Sequence, residues 1–169
     1  MPRQSAGLLL YRHGASDPEV FLVHPGGPFW AKKDLGAWSI PKGEFAADED
    51  TLAAAIREFR EETGFALAED LPREDLIDLG VLHQSGGKLV SVWALDESKS
   101  GVDCDPAALL SNRCEIEWPP RSGRRMEIPE VDRGAWFSLD EARQRILASQ
   151  QPALDNLLSA LRERLNEQP

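Results

Sequence analysis

The chain has 169 residues, of which 41% are apolar and 28% charged, and its formal charge at pH 7 is −10. That length suits one domain with a full core, and no apolar run approaches the roughly 18 residues that a membrane span needs. The acidic balance argues against a general nucleic-acid binder and leaves any anionic substrate dependent on local lysine, arginine or bound metal.

Met1-Pro2-Arg3-Gln4-Ser5 leads into the apolar run Ala6–Leu10. That run is too short for a signal-peptide core, so a cytoplasmic protein is expected. Ala6–Tyr11 and Val20–His24 read as two buried strands of a hairpin around Gly14-Ala15-Ser16-Asp17-Pro18. Pro25-Gly26-Gly27-Pro28 ends the second strand, and the loop Phe29–Gly36 brings Phe29, Trp30, Lys32 and Lys33 together. Ala37–Ile40 is expected to be a short strand ending at Pro41.

The clearest helix runs from Asp48 to Thr63. Asp48 or Asp50 caps it, acidic residues fill its first turn, and Gly64 stands at the C′ position. Leu52, Ala55, Ile56 and Phe59 define its core face. Asp75–Leu82 and Leu89–Leu95 read as strands around Ser85-Gly86-Gly87, and Asp96–Ala107 as loop. Arg113–Trp118 is a loosely alternating strand, Pro119–Arg125 is irregular, and Gly134–Phe137 is a short strand. Ser138-Leu139-Asp140-Glu141 is a capping box for a helix to about Leu147. Pro152 opens a last helix with Leu154, Leu157, Leu158, Leu161 and Leu165 on one side. Strands mixed with few helices predict an α+β, mixed-sheet sandwich in one domain, residues 1–169. Cys104 and Cys114 lack metal-site spacing and are expected to be free thiols. His13, His24 and His83 are isolated and read as structural.

Glu58, Glu61 and Glu62 form one acidic stripe beside the apolar face of the central helix. At 100° per residue, Glu61 lies about 60° behind Glu58 and Glu62 about 40° ahead of it. Like charges at these spacings repel, and the helix dipole disfavours anions in the last turn. A solvated acidic face, relieved by Arg57 and Arg60, is one reading. The other is a site for a hard cation such as Mg²⁺, which takes carboxylate oxygens and shares its shell with substrate phosphates.

The wider spacing favours the cation. Gly43, Glu49, Arg57-Glu58-Phe59, Glu61-Glu62 and Gly64-Phe65 occupy nine positions across 23 residues. This pattern resembles the Nudix box, position for position. The resemblance implies an α/β/α sandwich with a central mixed sheet and a loop–helix–loop motif. It also implies hydrolysis of a nucleoside diphosphate linked to another group, with Mg²⁺ or Mn²⁺ as cofactor. Carried over, Glu58, Glu61, Glu62 and the backbone carbonyl of Lys42 are metal ligands. Glu61 is also a candidate for the catalytic proton transfer, and Arg57 pairs with Glu49 to hold the loop over the helix. The family often adds a glutamate from outside the box as ligand or base. Glu130, six residues before Trp136, is the candidate here, with Glu127 as competitor and Glu115 and Glu117 more remote. The other reading of Glu130 is a loop carboxylate paired with Arg133.

Lys42 before Gly43 resembles the branch acting on dinucleoside polyphosphates, where it would contact a phosphate; the other reading is a surface lysine at a strand end. Glu44 follows Gly43 where those enzymes often have histidine. Trp30 and Lys33 are candidates to stack a base and neutralise phosphate, the other reading being a hydrophobic plug with solvated lysines; Arg124, with Arg121 and Arg125, either meets an oligophosphate tail or lies in a solvated loop. The expected partner is therefore a small nucleotide, with neither nucleic-acid polymer nor membrane involved. The alternatives are a nucleoside triphosphate pyrophosphohydrolase and a silent nucleotide-binding module of the same fold.

Overall fold

The computed structural model describes residues 2–169. Strand β1 (Gln4–His13) shows no polar alternation because both its faces are covered. Leu8 and Leu10 bury on one side, Leu9 and Tyr11 on the other. β2 (Pro18–Pro25) does the same with Phe21 and Val23 against Val20 and Leu22. Together with β4 (Leu76–His83), β5 (Leu89–Asp96) and β8 (Val131–Ser138), they make a mixed sheet in the order β4–β5–β1–β2–β8. β1 runs parallel to β5, and the other pairings are antiparallel. A three-residue strand, β3 (Lys42–Glu44), pairs with the start of β1.

Helix α1 (Thr51–Thr63) lays Ala54, Ala55 and Phe59 on the face of Leu8, Leu10 and Phe21. Helices α3 (Leu139–Arg145) and α4 (Gln151–Asn166) cover the opposite face, where Ala142, Leu154 and Leu157 meet Leu9, Leu22 and Val92. The result is the expected α/β/α sandwich. The capping box is present: Glu141 N–H donates to Ser138 Oγ, and Ser138 N–H donates to Glu141 Oε2. Leu165, expected on the apolar side of α4, is 69% exposed. Among the described residues no helix is long and apolar enough to cross a membrane.

Several expectations are corrected. α1 begins at Thr51, because the Asp50 side chain accepts the Ala53 N–H and so must stand outside the helix; its first turn then holds no acidic residue. Ala37–Ile40 forms only isolated bridges, Ser39 to Val23 and Trp38 to Ile146. The stretch after Asp96 holds a one-turn helix, α2 (Glu97–Ser100), capped by Asp96 and ended by Gly101 at φ +80°. Arg125, read as irregular, and residues 126–129, unread in the sequence, form strand β7 (Arg125–Pro129), paired with β6 (Arg113–Glu117) in a separate two-stranded arm. β8 is twice the expected length, since Val131–Arg133 continues its pairing with β2.

Candidate active site

The site occupies a wedge in the sheet. β1 pairs with β2 only at Tyr11–His13 and with β3 only at Ser5–Gly7. Where β1 and β2 part, residues 39–44 fill the gap. Leu8 N–H donates to the Pro41 carbonyl at 3.1 Å, and Val23 and Ser39 exchange backbone bonds of 2.9 Å. The buried Gln150 supports this segment from below. Its Oε1 accepts the Ile40 N–H at 2.8 Å, and its Nε2 donates to Ser39 Oγ at 3.0 Å.

α1 packs over this segment and places the carboxylates. Glu58 is buried, Glu62 half-buried and Glu61 exposed. The Glu58 carboxylate lies so close over Gly43 that an added Cβ there would collide with it. The Lys42 N–H donates to Glu62 Oε2 at 3.1 Å. Arg57 holds Glu49 with two bonds, Nε to Oε1 at 2.8 Å and Nη2 to Oε2 at 3.2 Å. Its Nη1 also donates to Glu58 Oε1 at 2.8 Å and to both Glu61 oxygens at 3.3 Å. This fork-on-carboxylate geometry depends on a guanidinium and ties the loop before α1 to the helix. The Arg57 bond to Glu49, with the charge of the guanidinium and against some desolvation, holds the Glu49 carboxyl below its ordinary pKa.

Glu130 approaches from the other side, in the bend between β7 and β8. Its N–H donates to the Asn112 carbonyl at 3.0 Å, and its carbonyl accepts the Gly26 N–H at 2.9 Å. The next residue, Val131, donates its N–H to Ser111 Oγ at 3.0 Å. With its amide nitrogen turned toward the available acceptors, Asn112 donates to Glu130 Oε2 at 3.3 Å and to the Glu61 carbonyl at 3.2 Å. Glu62, Glu130, Lys42 and Trp30 line one cleft of about 190 Å³.

The electrostatics agree with the geometry. Burial pushes the Glu62 carboxyl up to about 8, opposed by the Lys42 N–H and ammonium and reinforced by Glu130 and Glu58. Burial also raises Glu58, with Arg57 pulling it down and Glu61 and Glu130 pushing it up. Glu58, Glu62 and Glu130 therefore form one like-charged group with too little cation. Among the described residues no three His, Cys, Asp or Glu side chains converge into a ready-made cage. A divalent ion of the Mg²⁺ type does not need one. It binds through one or two carboxylates, keeps several waters and shares substrate phosphates. Hard oxygen donors, under-compensated negative charge and a glycine cradle fit such an ion.

The structure thus brings Glu58, Glu62, Glu130 and Lys42 together, with Glu61, Arg57 and Glu49 at the rim. Trp30 lines the cleft, and Lys33 lays its ammonium over the Phe29 ring at 3.5 Å and the Trp30 ring at 5.1 Å. Arg124 is not brought there. It lies beyond the last β6–β7 pair, Glu117 with Arg125, while Glu130 adjoins the first, Arg113 with Pro129. Six residues separate Arg124 from Glu130, so at 3.4 Å per residue it stands about 20 Å along the arm. Glu127 and Glu115 are paired on that arm with Arg113 and Arg125, at 2.6 and 3.3 Å, and Glu117 accepts the Gly123 N–H at 3.1 Å. Asn112, Gln150 and His24 escape sequence reasoning as parts of the site. Only His24 leaves a trace, as the polar residue after the apolar run Val20–Val23.

A model of the NUDIX domain family matches residues 1–157. An Arabidopsis thaliana protein named mRNA-decapping enzyme subunit 2 is 41% identical over 61 residues, which is 36% of this chain and only 16% of that protein. Among solved structures, a binary complex of C. elegans Ap4A hydrolase matches with a TM-score of 0.58 at 22% identity, covering 95% of this chain and 98% of the other. A mutT/nudix family protein from Listeria innocua matches with a TM-score of 0.60 at 19% identity, covering 99% of each chain. At these identities the structural likeness speaks for the fold.

Proposed function

The chain belongs to the Nudix family, and on that premise we propose that it is a pyrophosphohydrolase and hydrolyses a phosphoanhydride in a dinucleoside polyphosphate. Glu58, Glu62, Glu130 and the Lys42 carbonyl would hold Mg²⁺ or Mn²⁺. A divalent ion bound there withdraws charge from phosphate oxygens and lowers the pKa of water. Glu130, fixed by its own backbone bonds, is the group placed to take the proton from an attacking water, with Glu61 the alternative. The Lys42 ammonium faces the phosphates from the same cleft. Trp30 offers a flat apolar wall for a base, and Lys33 a second cation beside it. Arg57 and Glu49 keep the loop bearing Gly43 and Lys42 over the helix.

One observation carries the reading: Glu62, Glu130 and Lys42, far apart in the chain, share a cleft whose wall is Trp30. The dinucleoside preference rests on Lys42 before Gly43, and a likeness of fold to an Ap4A hydrolase supports it. Both cysteines are free, which suits the cytoplasm as working compartment. A panel of diadenosine tetraphosphate, nucleoside triphosphates and nucleotide sugars, each with Mg²⁺ and with Mn²⁺, tests it. The highest kcat/KM is expected on the diadenosine compound. A higher value on triphosphates or sugars overturns the substrate, and no hydrolysis of any of them overturns the catalytic reading.

A further inference from the structure

His24 has no part in the chemistry above, yet it is fully buried between the two walls of the cleft. Its Nε2–H donates to the Lys33 carbonyl at 2.6 Å. On the other side of the ring, one proton lies between Nδ1 and Asp132 Oδ1, 2.9 Å apart. The ring stands edge-on to Trp38, with centroids 5.2 Å apart. Lys33 belongs to the loop that carries Trp30. Asp132 follows Glu130 by two residues, at the start of β8. A buried imidazole is costly unless both nitrogens are satisfied, and here each is satisfied by a different wall.

We propose that His24 is a positioning residue for substrate binding: it ties the Phe29–Lys33 loop to the strand that delivers Glu130, and so holds Trp30 and Lys33 ready to receive the nucleotide. This rests on the polyphosphate reading of the cleft. The base of the loop has its own anchors, since Trp38 Nε1–H donates to Asp34 Oδ1 at 2.7 Å and Gly36 N–H donates to the Gln144 carbonyl at 3.1 Å. The platform itself is a tight turn, Lys33 N–H to Trp30 carbonyl at 2.9 Å, whose far end is held by the His24 bond. A loop ordered before binding spares the cost of ordering it on binding. Glu130 keeps its bonds to Gly26 and Asn112 without His24, so the loss falls on binding and not on turnover.

The test uses His24→Gln and Asp132→Ala. The second alters a partly exposed side chain, so it remains informative even where the first does not fold. Each variant is expected to raise KM for diadenosine tetraphosphate about tenfold with kcat within about twofold of wild type, because ordering is paid at binding. Without substrate, trypsin is expected to cut after the exposed Lys32 and Lys33 several-fold faster than in wild type. Cleavage after Arg124 on the remote arm serves as reference, with products identified by mass spectrometry. An unchanged KM, a fall confined to kcat, or equal loop cleavage overturns the proposal. Where the wild type hydrolyses no polyphosphate, the functional reading falls separately, and the cleavage rates decide the clamp: faster cutting supports it and equal cutting overturns it.

Discussion

Glu62 shows how a single residue reports its task. Its carboxylate is withdrawn from water, receives one backbone N–H from Lys42, and faces two more carboxylates, so its charge is poorly supported. Glu62→Gln removes that charge without changing shape. Hydrolysis is expected to fall at least about 100-fold, as when one electrostatic stabiliser is removed. The metal-free protein is expected to melt about 2–4 °C higher at pH 8. Steady-state kinetics and thermal denaturation check the two halves. Arg57→Lys tests geometry at constant charge. A lysine cannot grip Glu49 with a fork while also holding Glu58 and Glu61, so activity is expected to fall about 10–100-fold with circular dichroism unchanged.

Among the elements, α1 was legible because its signals are local. Asp50 caps it, Gly64 ends it at φ +79°, and an apolar stripe runs between them. β3 and β7 were not legible, for different reasons. β3 is three residues long, and its place is set by Pro41 and Gly43 fitting against β1. β7 is exposed along most of its length, and its last two residues, Ile128 and Pro129, reach the turn at Gly26 and Gly27, so no burial pattern marks it. The close approach of β3 to α1 yields a prediction at this scale. Gly43→Ala places a methyl group where the Glu58 carboxylate lies. Either the helix or the loop must then shift. Activity is expected to drop about 100-fold, since small displacements of reacting groups cost that much, and the melting temperature to fall with it.

At the scale of the whole molecule, stability and metal binding are coupled through the carboxylates. The folded chain raises Glu62 to about 8, against 4.5 as its ordinary value, so between those limits the folded state holds a proton that the unfolded state releases. Its contribution to stability is therefore present below about 4.5 and is lost as the pH rises toward 8. Bound Mg²⁺ opposes that loss. The rise in melting temperature with saturating Mg²⁺ is thus expected to be larger at pH 8 than at pH 5, as differential scanning fluorimetry will show. Strand patterns, caps and the spacing from Gly43 to Phe65 determined the fold class, the central helix and the acidic stripe from the sequence alone, because each depends on neighbours within a few turns of chain. Which of Glu58, Glu61 and Glu62 is buried, the seat of Glu130 opposite Lys42, the removal of Arg124 to the end of an arm, and the His24 bridge were decided only by tertiary structure. Each depends on where β1 and β2 part and β8 arrives, and such meetings of distant segments leave no local periodicity to read.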